Sequence, residues 1–279
     1  MERLSPLDLQ ETYYRETGVQ RYTLSDGTKI VGVSANTWRD FRTMIEKVSP
    51  EAPIVVGPEL IACAGDDFGE LVQNRNLINE RLEDLVEYST KRAKTTFVIG
   101  TPLFVDSYRP RNSALLIKNG EIVDVTNKRS GSSREENRCF ELVAEEAPLF
   151  LPGTKTAILI CADLPTATLF TCQKDGSFNR TLELSNRQHL IGKKVQFIPL
   201  SATSLLVIAC WGTGGSWVQE GKADEYYRLQ LRNIVWRLME ATNIKEVVVV
   251  DRVAQNLSEE LKKITPKKPY NGIIKYPLE

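Results

Sequence analysis

The sequence predicts an α/β protein built on a mixed sheet. Three observations carry this: an opening strand–helix–strand, an Asn-Gly hairpin set among helix-separated strands, and a late helix that feeds another strand. The opening order implies a parallel crossover and the hairpin an antiparallel pair, so the sheet is mixed. At 279 residues, one large core with peripheral insertions is the simplest organisation.

Residues 1–28 are mixed and polar with two Tyr-rich patches, and read as an extension. Lys29–Ser34 is a compact apolar strand. Across Thr37–Val48 the apolar positions Trp38, Phe41, Met44 and Ile45 share a helical face, and Thr37 is placed to cap it. Pro53–Gly57 is a buried-type strand, Asn74–Ala93 the clearest helix, and Thr95–Gly100 the returning strand. Ser113–Ile117 and Glu121–Val125 flank Lys118-Asn119-Gly120, whose Asn-Gly is the strongest short hairpin signal. Pro152-Gly153 marks a turn before a strand at Thr156–Ile160. Val195–Leu200 and Leu205–Ala209 read as further strands, Glu225–Ala241 as a helix, and Glu246–Val250 as a last strong strand. Residues 253–279 read as a tail, helical over Gln255–Lys263 and irregular from Pro266. The expected division is therefore extension 1–28, domain 29–252 and tail 253–279.

Composition narrows the function classes. Lys+Arg and Asp+Glu are both 36, so no global field recruits nucleic acid or an anionic membrane. The short basic run Lys262–Lys268 reads as a solvated tail. Met1–Ser5 carries an early acid and no apolar stretch, so no secretory leader is expected. Five cysteines at 63, 139, 161, 172 and 210 form no CxxC pair, which speaks against structural zinc or a disulfide framework and for a reducing cytoplasm. A single histidine, His189, leaves no mechanism that needs two imidazoles and no His-rich metal site.

Three strand-like runs end on chemistry. Pro53–Gly57 leads to Glu59, Glu121–Thr126 to Lys128, and Thr156–Ile160 to Cys161. Strand ends in an α/β fold hold side chains at fixed separations. A thiol reacts as thiolate, and a free Cys with pKa near ~8.5 is only partly ionised at neutral pH. Glu59 can take that proton if the fold brings it within hydrogen-bond reach. Lys128 then offers positive charge to a developing oxyanion, a contribution of about 3 kcal/mol per donor, and the Ala162 N–H is a candidate second donor. Together they suggest cysteine-based acyl chemistry. Taken singly, each has a plainer role: a buried small hydrophobe, a solvated cation, a surface acid.

The local contexts resemble the carbon–nitrogen hydrolase, or nitrilase, superfamily. Val55-Val56-Gly57-Pro58-Glu59-Leu60 resembles its strand ending in Pro-Glu-Leu, Asn112-Ser113-Ala114 through Asn127-Lys128-Arg129 its hairpin before the catalytic lysine, and Ile158-Leu159-Ile160-Cys161-Ala162-Asp163 its nucleophile turn. Glu136-Asn137-Arg138-Cys139-Phe140 resembles the Glu-x-x-x-Phe segment, whose Glu positions substrate and supports the lysine; the adjacent Glu135 competes for that role. Ile198–Ala202 resembles the strand after the cysteine. The resemblance covers roughly Lys29 to Arg252. It implies an α-β-β-α sandwich with mixed sheets, a homodimer through one helical layer, and no metal or cofactor. It also implies hydrolysis of a small amide, carbamoyl or nitrile C–N bond through a thioester, with Glu59, Lys128, Cys161 and Glu136 catalytic. Departures lie at Leu164-Pro165-Thr166, where the family has Phe-Pro-Glu, and across the long polar stretch 166–193.

Other readings remain open on sequence. One is a nitrilase-fold binding or regulatory module without activity, motivated by the divergent 166–193 and 253–279. Another is a Cys–His hydrolase using His189 with Cys161 or Cys172. A third is acyl transfer to an amine. Trp211-Gly212-Thr213-Gly214-Gly215-Ser216-Trp217 reads either as an aromatic lid carried by Trp211 and Trp217 or as an ordinary turn. No Lys-Ser/Thr follows these glycines, so they are no P-loop.

Overall fold

The computed structural model describes residues 12–14, 18–35, 37–63, 74–105, 109–132, 134–172, 187–210, 223–252 and 273–277. Within these, two sheets stack. The six-stranded sheet runs in the order β2 (Gly18–Thr23), β3 (Lys29–Ser34), β4 (Ile54–Val56), β5 (Thr96–Leu103), β6 (Arg111–Lys118), β7 (Glu121–Asn127). The five-stranded sheet runs β1 (Thr12–Tyr14), β11 (Ile273–Pro277), β10 (Glu246–Arg252), β9 (Ser204–Cys210), β8 (Thr156–Ile160). Strands β3, β4 and β5 pair in parallel, as do β8, β9 and β10, while β5–β6–β7 and β10–β11 are antiparallel. Both sheets are thus mixed.

Strand alternation builds the layers. Ile54 and Val56 of β4, Val98 of β5, and Ala114 and Leu116 of β6 face the β8–β10 strands. Val55, Phe97, Ile99, Leu115 and Ile117 face the other way, onto α1 (Trp38–Lys47) and α2 (Arg75–Thr90). A strand buried on both faces reads as a continuous apolar run, which is what these sequences show. On the far side of the second sheet lie α4 (Asp163–Cys172) and α5 (Ala223–Ala241), with α3 (Arg134–Cys139) between β7 and β8 in the chain. The result is the α-β-β-α sandwich.

Local chemistry sets the ends. The Thr37 hydroxyl accepts the Asp40 N–H at 3.1 Å and caps α1. At the other end of α1, Arg92 donates to the carbonyls of Ile45, Val48 and Ser49, tying down the chain where it leaves the helix. Asn119 and Gly120 both have positive φ, 49° and 83°, as a two-residue hairpin turn of the mirror type requires. Between the sheets, buried Glu246 of β10 accepts from Ser25 N–H, Ser25 hydroxyl and Ser204 hydroxyl at 2.6, 2.6 and 2.9 Å.

Four stretches differ from expectation. Val195–Leu200 is irregular, because Pro199 has no N–H for a ladder and instead starts a turn closed by Ala202 N–H onto its carbonyl. The strand after the cysteine is β9. Residues 166–172, read as the start of a polar stretch, belong to α4 (Asp163–Cys172); Pro165 is tolerated because it lies in the first turn, where helix N–H groups have no partner. Residues 1–28 carry β1 and β2, and Ile273–Pro277, expected to be irregular, is the strand β11. Gln255–Lys263 lies outside the described residues. Among those described, no helix is long and apolar enough to cross a membrane.

Candidate active site

Glu59 follows β4 where the chain turns back over the sheet. Leu60 adopts a left-handed φ of 56°, and Glu59 N–H reaches the Ala209 carbonyl of β9 at 3.3 Å. Gly100 of β5 makes room for this turn. A Cβ there would lie 2.4 Å from the Glu59 Cα and 3.1 Å from the Pro58 oxygen, so any side chain would displace the Glu59 backbone.

Lys128 follows β7 and is fixed by its N–H donating to Asn112 O at 2.7 Å. Its ammonium is 1% exposed and lies between two carboxylates, 2.8 Å from Glu59 Oε1 and 2.5 Å from Glu136 Oε1. The Asn112 amide nitrogen donates to the same two oxygens, at 2.7 and 3.3 Å. Glu136 enters from α3, and its other oxygen accepts the Ser132 N–H and hydroxyl at 2.6 and 2.7 Å. The second Glu59 oxygen accepts the Cys210 N–H at 2.8 Å. The Glu135 side chain lies outside the described residues.

Cys161 ends β8, with its N–H on the Ile208 carbonyl at 2.8 Å. Its φ of 46° is a left-handed conformation costly for a residue with a Cβ, of order 1–3 kcal/mol, and such strain concentrates at functional turns. Ala162, buried at the entrance to α4, has an N–H with no hydrogen-bond partner among the described residues. The charges of Glu59, Lys128, Glu136 and Asp251 all act on the Cys161 sulfur. The structure holds Glu59, Lys128 and Glu136 in direct contact and sets the Cys161 turn beside the Glu59 turn, their N–H groups on the consecutive β9 carbonyls Ile208 and Ala209; Trp211 and Trp217 lie outside the described residues.

The electrostatics follow from burying two acids and one base. Burial pushes the Cys161 thiol up, Glu59 adds to this, and Lys128 offsets it only in part, so the resting residue is a thiol. Burial alone would lower Lys128, but Cys161, Glu136 and Glu59 raise it well above the ordinary lysine value. Burial raises Glu136, and Lys128 with the Ser132 donors more than reverses this, so it is held below the usual carboxylate range. Lys128 is a fixed cation and Glu136 a fixed anion.

A clip joins the Cys161 turn to the Lys128 loop. Asp163 Oδ1, two residues after Cys161, accepts the N–H groups of Arg129 and Ser130 at 3.0 and 2.9 Å. Arg129 Nη1 lies 3.8 Å from Asp163 Oδ2, and neither atom has a hydrogen-bond partner. Burial raises the Asp163 pKa from 3.8 to about 6 despite the opposing Arg129 and Lys128 charges. His189 Nε2 meets the Arg129 carbonyl at 2.9 Å, and Cys172 lies exposed at the end of α4 with Sγ on the Arg237 carbonyl. Among the described residues no hydrogen bond joins His189 to Cys161 or to Cys172, as a Cys–His pair would need.

Sequence reasoning did not assign roles to Asn112, Gly100, Ser132 or Asp163. The signal for Asn112 was its polarity at the head of the apolar run 114–117; for Asp163, an acid before Pro165 at a helix start. Among the described residues no group of three or more His, Cys, Asp and Glu side chains is arranged to hold a metal ion.

No protein-family model and no curated protein matches this sequence. Solved structures do match. A variant of the amidase from Nesterenkonia sp. AN1, which shows covalent addition of the acetamide moiety of fluoroacetamide at its active-site cysteine, is 13% identical with a TM-score of 0.54, covering 89% of this chain and 89% of that one. A carbon–nitrogen hydrolase from Helicobacter pylori is 14% identical with a TM-score of 0.52, covering 98% of this chain and 89% of that one. Saccharomyces cerevisiae Nit3, a member of branch 10 of the nitrilase superfamily, is 14% identical with a TM-score of 0.50, over 97% and 92%. The chain spans 33% of a longer glutamine-dependent NAD+ synthetase from Acinetobacter baumannii, at a TM-score of 0.46.

Proposed function

We propose that this chain, which has the fold of the nitrilase superfamily, is a cysteine-dependent hydrolase of a small, non-peptide C–N bond. The observation that carries the reading is the buried Lys128 ammonium between Glu59 and Glu136, beside a cysteine on a strained strand-end turn whose N–H and that of Glu59 bond consecutive carbonyls of β9.

In this reading the Cys161 sulfur attacks the substrate carbonyl carbon while its proton passes to Glu59. Because the thiol is held protonated, attack and proton transfer go together. A free thiolate would add a second net negative charge beside two carboxylates and one ammonium; transfer to Glu59 leaves the total unchanged. The oxyanion that forms faces Lys128 and the Ala162 N–H, two donors fixed before reaction. Glu59 gives its proton to the departing nitrogen, the C–N bond breaks, and a thioester remains on Cys161. Water then attacks the thioester, Glu59 takes its proton, and the acid leaves as the thiol is restored. Glu136 does no proton transfer; its charge keeps Lys128 protonated and placed. The likeness to an amidase whose active-site cysteine takes an acetamide group supports the same roles.

Short aliphatic amides and N-carbamoyl amino acids, followed by ammonia release, test the reading. Release that disappears in Cys161→Ala supports it. A silent panel, with Cys161 unreactive toward alkylation, favours the alternative of a nitrilase-fold binding module. A homodimer through a helical layer belongs to the same proposal, and light scattering on the eluting protein checks it.

A further inference from the structure

A cleft of about 470 Å3, not lined by Glu59, Lys128 or Cys161, opens against α3. Arg134 and Arg138, one helical turn apart, line it from α3, and Arg109 and Lys193 line it from neighbouring segments. Glu136 leaves the helix on another face, buried against Lys128. Phe140 and Leu142 give the cleft an apolar floor.

Among the described residues, cations outnumber acids in this cleft. The one acidic lining residue among them, Glu141, is engaged by the guanidinium of Arg111 at 3.1 Å. Among the described residues, Arg134, Arg138 and Lys193 have no acidic partner, while Arg109 is steered to the wall by donating to the Asn137 carbonyl at 3.2 Å. The chain as a whole carries equal numbers of acids and bases, so the surplus is local. Like charges four apart on a helix repel, and gathering cations in a concave site strengthens their common field. An anion entering the cleft would meet that common field. Guanidinium groups match phosphate and carboxylate oxygens in paired bonds, and the volume falls in the range of small-molecule sites.

We propose that this cleft binds a small organic anion, a phosphate or carboxylate group carried on a compact apolar body. The charged end meets Arg134, Arg138, Arg109 and Lys193, and the body rests on Phe140 and Leu142. The site is independent of the reaction assigned to Cys161.

Isothermal titration of the full chain with phenyl phosphate and with inorganic phosphate, at low salt, tests this. Expected is saturable binding at one site per chain, tighter for phenyl phosphate. Arg134→Glu/Arg138→Glu should weaken it by about tenfold or more, the loss of one charge-assisted bond or so. The milder Arg134→Gln/Arg138→Gln should weaken it in the same direction, which guards against a misfolded variant. Lys91→Glu/Lys118→Glu, an equal charge change at exposed positions outside the cleft, should leave it within about twofold, the scale of a surface charge effect. Absence of saturable binding at millimolar ligand, equal weakening in both charge-reversed proteins, or no advantage of phenyl phosphate over phosphate would each overturn the proposal.

Discussion

Asp163→Asn separates two roles that one buried carboxylate combines. The asparagine oxygen can still accept the Arg129 and Ser130 N–H groups, so the clip to the Lys128 loop stays closed, but the negative charge is gone. In the folded protein the Asp163 pKa rises from 3.8 to about 6, first through burial, against the pull of Arg129. Between those two values the native state holds a proton that the unfolded chain has released, so stability falls as pH rises. The difference of about 2 units, at 1.36 kcal/mol each, makes the penalty about 3 kcal/mol, complete above the folded value and absent below the unfolded one. The assay is urea unfolding of both proteins across this window. The stability of the native protein minus that of Asp163→Asn should drop by about 3 kcal/mol with increasing pH. Parallel stability curves would refute the reasoning, because Arg129 would then compensate burial in full.

Lys128→Met leaves two buried carboxylates facing each other; it should cost about 3–5 kcal/mol of stability by urea unfolding and lower ammonia release by about a hundredfold or more. Adding Glu136→Gln should restore part of the stability and none of the activity. The pair also shapes the pH profile: the raised Lys128 pKa gives stability that is full below the ordinary lysine value and lost as pH rises through the folded one, while the lowered Glu136 pKa gives stability that is full above the ordinary glutamate value and lost as pH falls through the folded one. Unfolding midpoints that stay flat at both extremes would contradict this. Gly100→Ala should displace Glu59 and abolish turnover in a protein that still folds with native circular dichroism; retained activity would show that the 2.4 Å approach relaxes without moving the base.

Much of this fold was legible because buried strands write themselves as apolar runs. β3 and β8 fall on the residues expected, Lys29–Ser34 and Thr156–Ile160, and Thr37 caps the helix it was assigned. The hairpin followed from Asn119-Gly120, since both residues accept positive φ. Glu59, Lys128 and Cys161 stand just past the ends of β4, β7 and β8, as their sequence contexts indicate. What escaped depends on contacts between distant segments. Val195–Leu200 is apolar enough for a strand, yet Phe197 packs on Phe170 and Pro199 turns the chain. α4 has little helical periodicity in its sequence, because it is apolar around much of its circumference and is held between β8 and α5. Gly100 and Asn112 look unremarkable in their strands; only the fold shows one yielding space to Glu59 and the other bridging both carboxylates.

The most direct measurement is the rate of iodoacetamide alkylation at each cysteine, resolved by peptide mapping, in the native protein and in Glu59→Gln. Cys161 is 6% exposed and held as a thiol, so on access and ionisation alone it should be slower than the exposed Cys172. If Glu59 removes its proton during attack, Cys161 should react first in the native protein, and Glu59→Gln should slow it by at least about tenfold, the low end for general-base catalysis, while Cys172 is unchanged. Faster labelling of Cys172, or a Cys161 rate indifferent to Glu59, would contradict the account.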